Sequence, residues 1–459
     1  MSQKYVVDGV EYGSLEEAEQ AAERRTAGSS PIGAATAAPT VASPTHAASA
    51  TTAQTPAGQP PPQDPRMLIP VLQEKIRSES QAGGSKANQA GYVSQLGCIY
   101  RDLRDYDRAI AEFQTALALF IEALGSTHAA VGDVHGNLGL TYEAQGDLEN
   151  ALQTFEKAYT VHSAALGSSH RAVGESFINM ARIYEKMNNY PPAIEMYKQA
   201  ISITETAFGP EHPAMGDTLG NIGLAYAASE QHSLAVESFT QSMSIHKKAL
   251  GEMHPIIAQT CINAAASYRE LKKWNLAFDC YKQALTIRRK TCGEGHPYVA
   301  DVHGLVGDTH AEQKNYGIAL NLYNKSLAIY VEKLGEQHPK IGETYGDIGN
   351  VQEAQGNLAL AIDWYEKSIN ILRPALGEGH PMVGDLHVDK GRAWNKLGDS
   401  AQAKESYRLA YEIFRRSYGE EHADTKEARA CMERRRDPAR QASPLRRAPS
   451  PVQQYGKRE

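Results

Sequence analysis

A histidine recurs along this chain at one fixed interval. His128, His170, His212, His254, His296, His338, His380 and His422 lie 42 residues apart, and each follows a glycine by three. Neutral imidazole is a zinc ligand, so eight in register raise the prospect of a metal site. Zinc needs its ligands to converge at about 2 Å from one point. Histidines supplied once per structural unit lie on successive rungs about 10 Å apart, the width of one helix. A metal ladder is therefore not expected, and the pattern reads as a residue that opens a helix and closes the loop before it.

Two further rows share the period. Asn137, Asn179, Asn221 and Asn263 occupy one slot, which becomes Leu305, Asp347 and Asp389 further on. Four residues earlier come Asp133, Glu175, Asp217, Gln259, Asp301, Glu343 and Asp385. Basic residues are scattered near them: Arg182, Lys186, Arg269, Arg392 and Lys396, read as separate cations rather than one clamp. No phosphate-binding, dinucleotide-binding, nucleophile-elbow or HExxH motif is present, and Cys98, Cys261, Cys280, Cys292 and Cys431 form no CxxC pair. Catalysis, a cofactor and a bound metal are not expected.

The elements that hold these residues follow from the same spacing. Alanine recurs from Ala109 to Ala403, an aromatic follows four residues later (Phe113, Phe155, Tyr197, Phe239, Tyr281, Tyr323, Tyr365, Tyr407), and Ala or Ser comes three beyond that. Upstream, Gly or Ala recurs from Gly97 to Gly391. Spacings of three and four place these residues on one helical stripe. Each unit reads as two antiparallel helices, for example 131–144 and 148–165, with turns such as Gly146-Asp147 between them. Pro213, Pro255, Pro297, Pro339 and Pro381 suit the first turn of a helix, where a missing N–H is no loss. One pair cannot bury its apolar face alone, whereas stacked pairs make a continuous core. The bias toward Tyr (23, against 8 Phe and 3 Trp) reads as one packing position copied along the chain.

The pattern Asn-x-Gly-x-x-Tyr, then Gly, then Ala-x-x-x-Tyr-x-x-Ala-Leu resembles the tetratricopeptide repeat (TPR). The run from Tyr281 to Ala300 resembles the 42-residue units of kinesin light chains. The resemblance covers about 89–424 and implies an all-α, right-handed superhelical solenoid of eight TPR helix pairs. It also implies that the first helix of each pair lines a concave groove. There the asparagine row would bond the backbone of an extended peptide, or else bridge neighbouring helices. The acidic row would favour a partner carrying Lys or Arg, or else complement the helix dipoles. The candidate groove is thus Asn137, Asn179, Asn221 and Asn263 with Asp133, Glu175, Asp217, Asp301, Glu343, Asp385, Arg182 and Arg269.

The ends differ from the body. Asp8-Gly9 is a hairpin signal between 4–7 and 10–12, and Ser14 with Glu17 forms a capping box, so 1–25 reads as a small hairpin and helix. Residues 26–66 are Ala/Thr/Pro-rich and read as a disordered linker, with a short helix and linker over 67–88. No three-heptad apolar seam runs through 1–88, so the coiled coil implied by the light-chain resemblance is not expected there. A capping helix over 425–436 and a basic, disordered tail over 437–459 complete the chain. The net charge of −7 divides unevenly: 89–424 holds 30 basic and 41 acidic residues, and 425–459 holds 10 and 4. The tail reads as solvated, or else as a segment for tubulin tails, anionic lipid or the acidic body itself. Nucleic acid is not an expected partner of an acidic body, and no apolar run is long enough to span a membrane. The expected function is a non-catalytic adaptor for peptide segments in the cytoplasm, linked through the resemblance to a kinesin heavy chain or other cytoskeletal proteins. The alternative is a structural component of a cytoskeletal, ciliary or basal-body assembly.

Overall fold

The computed structural model describes residues 5–7, 10–12, 65–81 and 83–433. The expected helix after Ser14, nearly all of the 26–66 linker and the 437–459 tail lie outside these residues. Strands β1 (Tyr5–Val7) and β2 (Val10–Tyr12) pair antiparallel, with Tyr5 opposite Tyr12 and Val7 opposite Val10. A 3₁₀ turn at Pro65–Met67 leads into α1 (Leu68–Gln81). Pro70 falls in the first turn of α1, where the ring displaces no helical hydrogen bond.

Among the described residues, the rest of the chain is helical. The pairs are α2 (Lys86–Asp102) with α3 (Tyr106–Leu124), α4 (Ala129–Gln145) with α5 (Leu148–Leu166), and α6 (Arg171–Lys186) with α7 (Tyr190–Phe208). Then come α8 (Pro213–Ala228) with α9 (His232–Leu250), and α10 (Pro255–Glu270) with α11 (Trp274–Cys292). The last three are α12 (Pro297–Glu312) with α13 (Tyr316–Leu334), α14 (Pro339–Ala354) with α15 (Leu358–Leu376), and α16 (Pro381–Leu397) with α17 (Ser400–Tyr418). A final helix, α18 (Ala423–Glu433), packs on α17. The described helices divide into two compact units, an N-terminal one through Thr260 and a C-terminal one from Cys261. Within each unit the second helix of a pair packs on the first helix of the next, which is the packing of a helix-pair solenoid.

The repeated small residue explains the close approach within a pair. A Cβ added at Gly139 would lie 2.7 Å from the ring of Phe155, and one at Gly349 would lie 2.7 Å from that of Tyr365. The aromatics therefore press on bare backbone and are fully buried. The Tyr excess has a second cause besides packing. Tyr197 donates to Glu185 Oε2 (2.8 Å), Tyr323 to Asp308 Oδ1 (2.8 Å), and Tyr365 to both Asn350 Oδ1 (2.9 Å) and Glu353 Oε2 (2.8 Å). A buried phenol needs such an acceptor. Phe113, Phe155 and Phe239 occur in repeats where the slot equivalent to Asp308 and Asn350 holds Cys98, Leu140 and Leu224.

The eight histidines open the first helices from α4 to α16 and α18, whereas α2 opens on Ser85. In each, Nδ1 accepts the backbone N–H two residues on: His128 from Ala130 (3.2 Å), His296 from Tyr298 (3.1 Å), His338 from Lys340 (3.2 Å), and likewise the others. The imidazole does here what an Asn or Asp oxygen does at an N-cap, satisfying a donor that the helix cannot. It does so only while Nδ1 is unprotonated. His338→Ala should cost about 1 kcal/mol in urea denaturation and His338→Asn much less. Equal losses in the two variants would contradict the cap.

Candidate protein-binding face

After α2, which Ser85 caps, every first helix is started by the same device, the histidine cap, joined by proline at the first position from α8 to α16. This common start keeps register, so residues at 133, 137, 140 and 144 share one stripe of their helix, and their equivalents take the same place in each following first helix. The stripe carries the candidate residues, and the structure ties most of them to neighbours.

In the N-terminal unit, Asn137 (8% exposed) accepts at Oδ1 from Arg101 Nη1 (3.4 Å), and Asn179 (9%) from Arg182 Nη1 (3.0 Å). A guanidinium only donates, so each amide is oriented with its oxygen to the arginine and its N–H groups left for another acceptor. Asn221, and Asn263 in the C-terminal unit, are half-buried.

The acidic row leans toward the second helix of its own pair. Asp133 Oδ1 lies 3.2 Å from Nε2 of buried His162, and Asp217 Oδ1 lies 3.2 Å from Nε2 of buried His246. Tyr330 Oη donates to Asp301 Oδ1 at 2.6 Å. The partner takes the same place in the second helix each time, in every second repeat. Glu175 pairs with Arg171 (3.0 Å) and Glu343 with Lys340 (3.0 Å), while Asp385 is exposed.

The basic candidates are not scattered. Arg182 and Lys186 both reach back to Glu143 of the preceding first helix, Lys186 at 2.7 Å. Burial alone would raise the Glu143 pKa, but the two cations hold it below the usual carboxylate value. The same arrangement returns in the C-terminal unit. Arg392 grips Glu353 with Nε (2.7 Å) and Nη2 (2.9 Å), Lys396 adds a third bond (2.9 Å), and Arg392 also holds Asp389 in the asparagine slot (2.8 Å). Glu353 too is held below its usual range against the opposing effect of burial. Arg269 pairs with Glu312 (3.2 Å), with the charges in reverse order. Arg182, Arg269 and Arg392 are thus engaged between neighbouring first helices. Glu143 and Glu353, the partners of Arg182 and Arg392, were missed. The signal that marks them is a Glu near the end of one first helix, with Arg and Lys one turn apart near the end of the next, and it occurs twice.

Beside the first clamp, burial pushes Glu185 up to about 7, opposed by the Tyr197 hydroxyl and Arg182. Among the described residues, no group of three or more His, Cys, Asp or Glu is placed to hold a metal ion, and no helix is long and apolar enough to cross a membrane.

Helix pairs of fixed length, small-to-aromatic packing within each pair and a polar first-helix stripe define a repeat scaffold. The tetratricopeptide repeat family model matches residues 90–164, 132–206, 193–248, 256–332 and 312–374, and the chain belongs to that family. Its fold is that of a protein-interaction scaffold. Similar solved structures include BtubC (BKLC) from P. vanneervenii, 18% identical over 50% of this chain and 94% of that one, TM-score 0.46. A putative kinesin light chain from Podosopora anserina with nearly identical TPR-like repeats is 22% identical over 45% of this chain and 97% of its own, TM-score 0.41. The apo form of RapI is 18% identical over 62% and 98%, TM-score 0.48. No curated protein matches the chain.

Proposed function

We propose that this protein is a non-catalytic adaptor whose first-helix face holds extended peptide segments of partner proteins. The pinned amides carry the reading. With their oxygens committed to Arg101 and Arg182, Asn137 and Asn179 offer N–H groups to the carbonyls of a bound backbone. Recognition through backbone is tolerant of sequence, which suits a scaffold with several clients. The resemblance to kinesin light chains extends the reading to a cytoplasmic, cytoskeleton-associated partner, with a kinesin heavy chain coupling cargo to microtubules as the specific case.

Affinity capture with the full chain and with Asn179→Ala plus Asn221→Ala tests this. Partners recovered by the parent should fall at least about tenfold in the variant, roughly 1.4 kcal/mol of binding, with the helical signal unchanged. Equal recovery by both would refute the backbone-reading face.

A further inference from the structure

The asparagine slot changes character in the C-terminal unit. It holds Asp347 in α14 and Asp389 in α16. Helices α12, α14 and α16 together carry eight carboxylates and four Lys or Arg. Those four cations are engaged: Lys340 with Glu343, Lys390 with Glu366 of α15, and Arg392 and Lys396 with Glu353. On α12 there is no Lys or Arg at all, and Asp301, Asp308 and Glu312 share its stripe. Seven of the eight carboxylates are half-buried to exposed and Glu353 is buried, and within the unit no described element covers this face.

The chain itself contains a segment of opposite charge. After Glu433 come Arg434, Arg435, Arg436, Arg440, Arg446, Arg447, Lys457 and Arg458, against Asp437 and Glu459. Helix α18 begins one repeat length after α16, in the register of a further first helix, and ends at Glu433, directly before the segment. Its 26 residues can reach at most about 94 Å, and three helix widths to α12 are about 30 Å.

We propose that residues 434–459 dock on the first-helix face of α12, α14 and α16 in the same molecule and compete there with partner segments. The inference rests on the reading of that face as a peptide-binding surface. Ser443 and Ser450, each followed by proline, lie within the segment. Phosphate on both would subtract about three to four charges and release it.

A fluorescein-labelled synthetic peptide of residues 434–459 is titrated against the full chain carrying Arg440→Gln, Arg446→Gln and Arg447→Gln. Anisotropy should report binding that weakens at least about threefold between 50 and 200 mM NaCl as charges are screened. Adding Asp301→Asn and Asp347→Asn should weaken it about tenfold, whereas Asn179→Ala plus Asn221→Ala should leave it unchanged. The unaltered chain should bind the peptide more weakly, because its own segment is present at a higher effective concentration. Peptide phosphorylated at Ser443 and Ser450 should bind more weakly as well. Binding that is absent, indifferent to salt or indifferent to the aspartate changes would overturn the proposal. Equal affinity for the unaltered chain would also overturn it, since the segment would then act between copies. Loss of partner capture by the asparagine variant alongside any of these failures would leave the adaptor reading standing and remove only the inference.

Discussion

Replacing Arg392 and Lys396 together with methionine should destabilise the chain around α14 and α16 by about 3–5 kcal/mol. Glu353 is nearly inaccessible, its side chain 4% exposed, and those two residues supply its three charged hydrogen bonds. Without them a buried carboxylate keeps only the hydroxyl of Tyr365, and burial then forces its pKa up. The triple variant that adds Glu353→Met should recover much of the loss, because removing the whole set takes away the stranded charge. Repeat arrays do not unfold as one step. The effect is therefore read by hydrogen exchange in Pro339–Ala354 and Pro381–Leu397 as well as by urea denaturation. Unchanged exchange in the double variant would mean that the clamp behaves as a solvated surface pair. The Glu143 clamp, at 7% side-chain exposure, should respond in the same way to Arg182→Met with Lys186→Met.

Acid should weaken the protein steeply between about pH 6.5 and pH 4. Burial pushes His303, His310 and His387 each down to about 4, with nearby cations adding to the effect at His303 and His387. The folded chain resists protonation at these sites, whereas the unfolded chain takes up protons near the ordinary value of about 6.5. Their contribution is therefore complete above 6.5 and lost as pH falls toward 4, up to about 3 kcal/mol per site. Glu185 acts in the opposite direction: raised to about 7, it favours the folded state most in acid and loses that contribution as pH rises through 7. Thermal midpoints from pH 7.5 to 4 should fall on the acid side, and His310→Gln should flatten that fall. A level profile, or an unchanged slope in the variant, would contradict the assignment.

The repeat itself was legible because its determinants are local or lie within one pair. The histidine cap acts two residues away, the glycine-to-aromatic contact recurs at a constant offset, and both leave a periodic trace. The charged residues were less legible. Arg182 and Arg392 stand in stripe positions that look presented, yet each turns toward a carboxylate on the preceding first helix. Asp133, Asp217 and Asp301 look like one row, yet each is tied to a partner on the second helix of its own pair.

The sequence by itself determined the repeated helix pair, its number, its starts and its close-packed seam, because backbone capping and small-to-large packing depend on residue type at fixed short spacing. Only the tertiary structure decided which polar groups the first-helix face offers. Whether a charge is presented or consumed depends on the lateral distance to the next helix, and side chains as long as Arg and Lys reach across that distance. Burial there makes an inward ion pair far more consequential than the same residues in water.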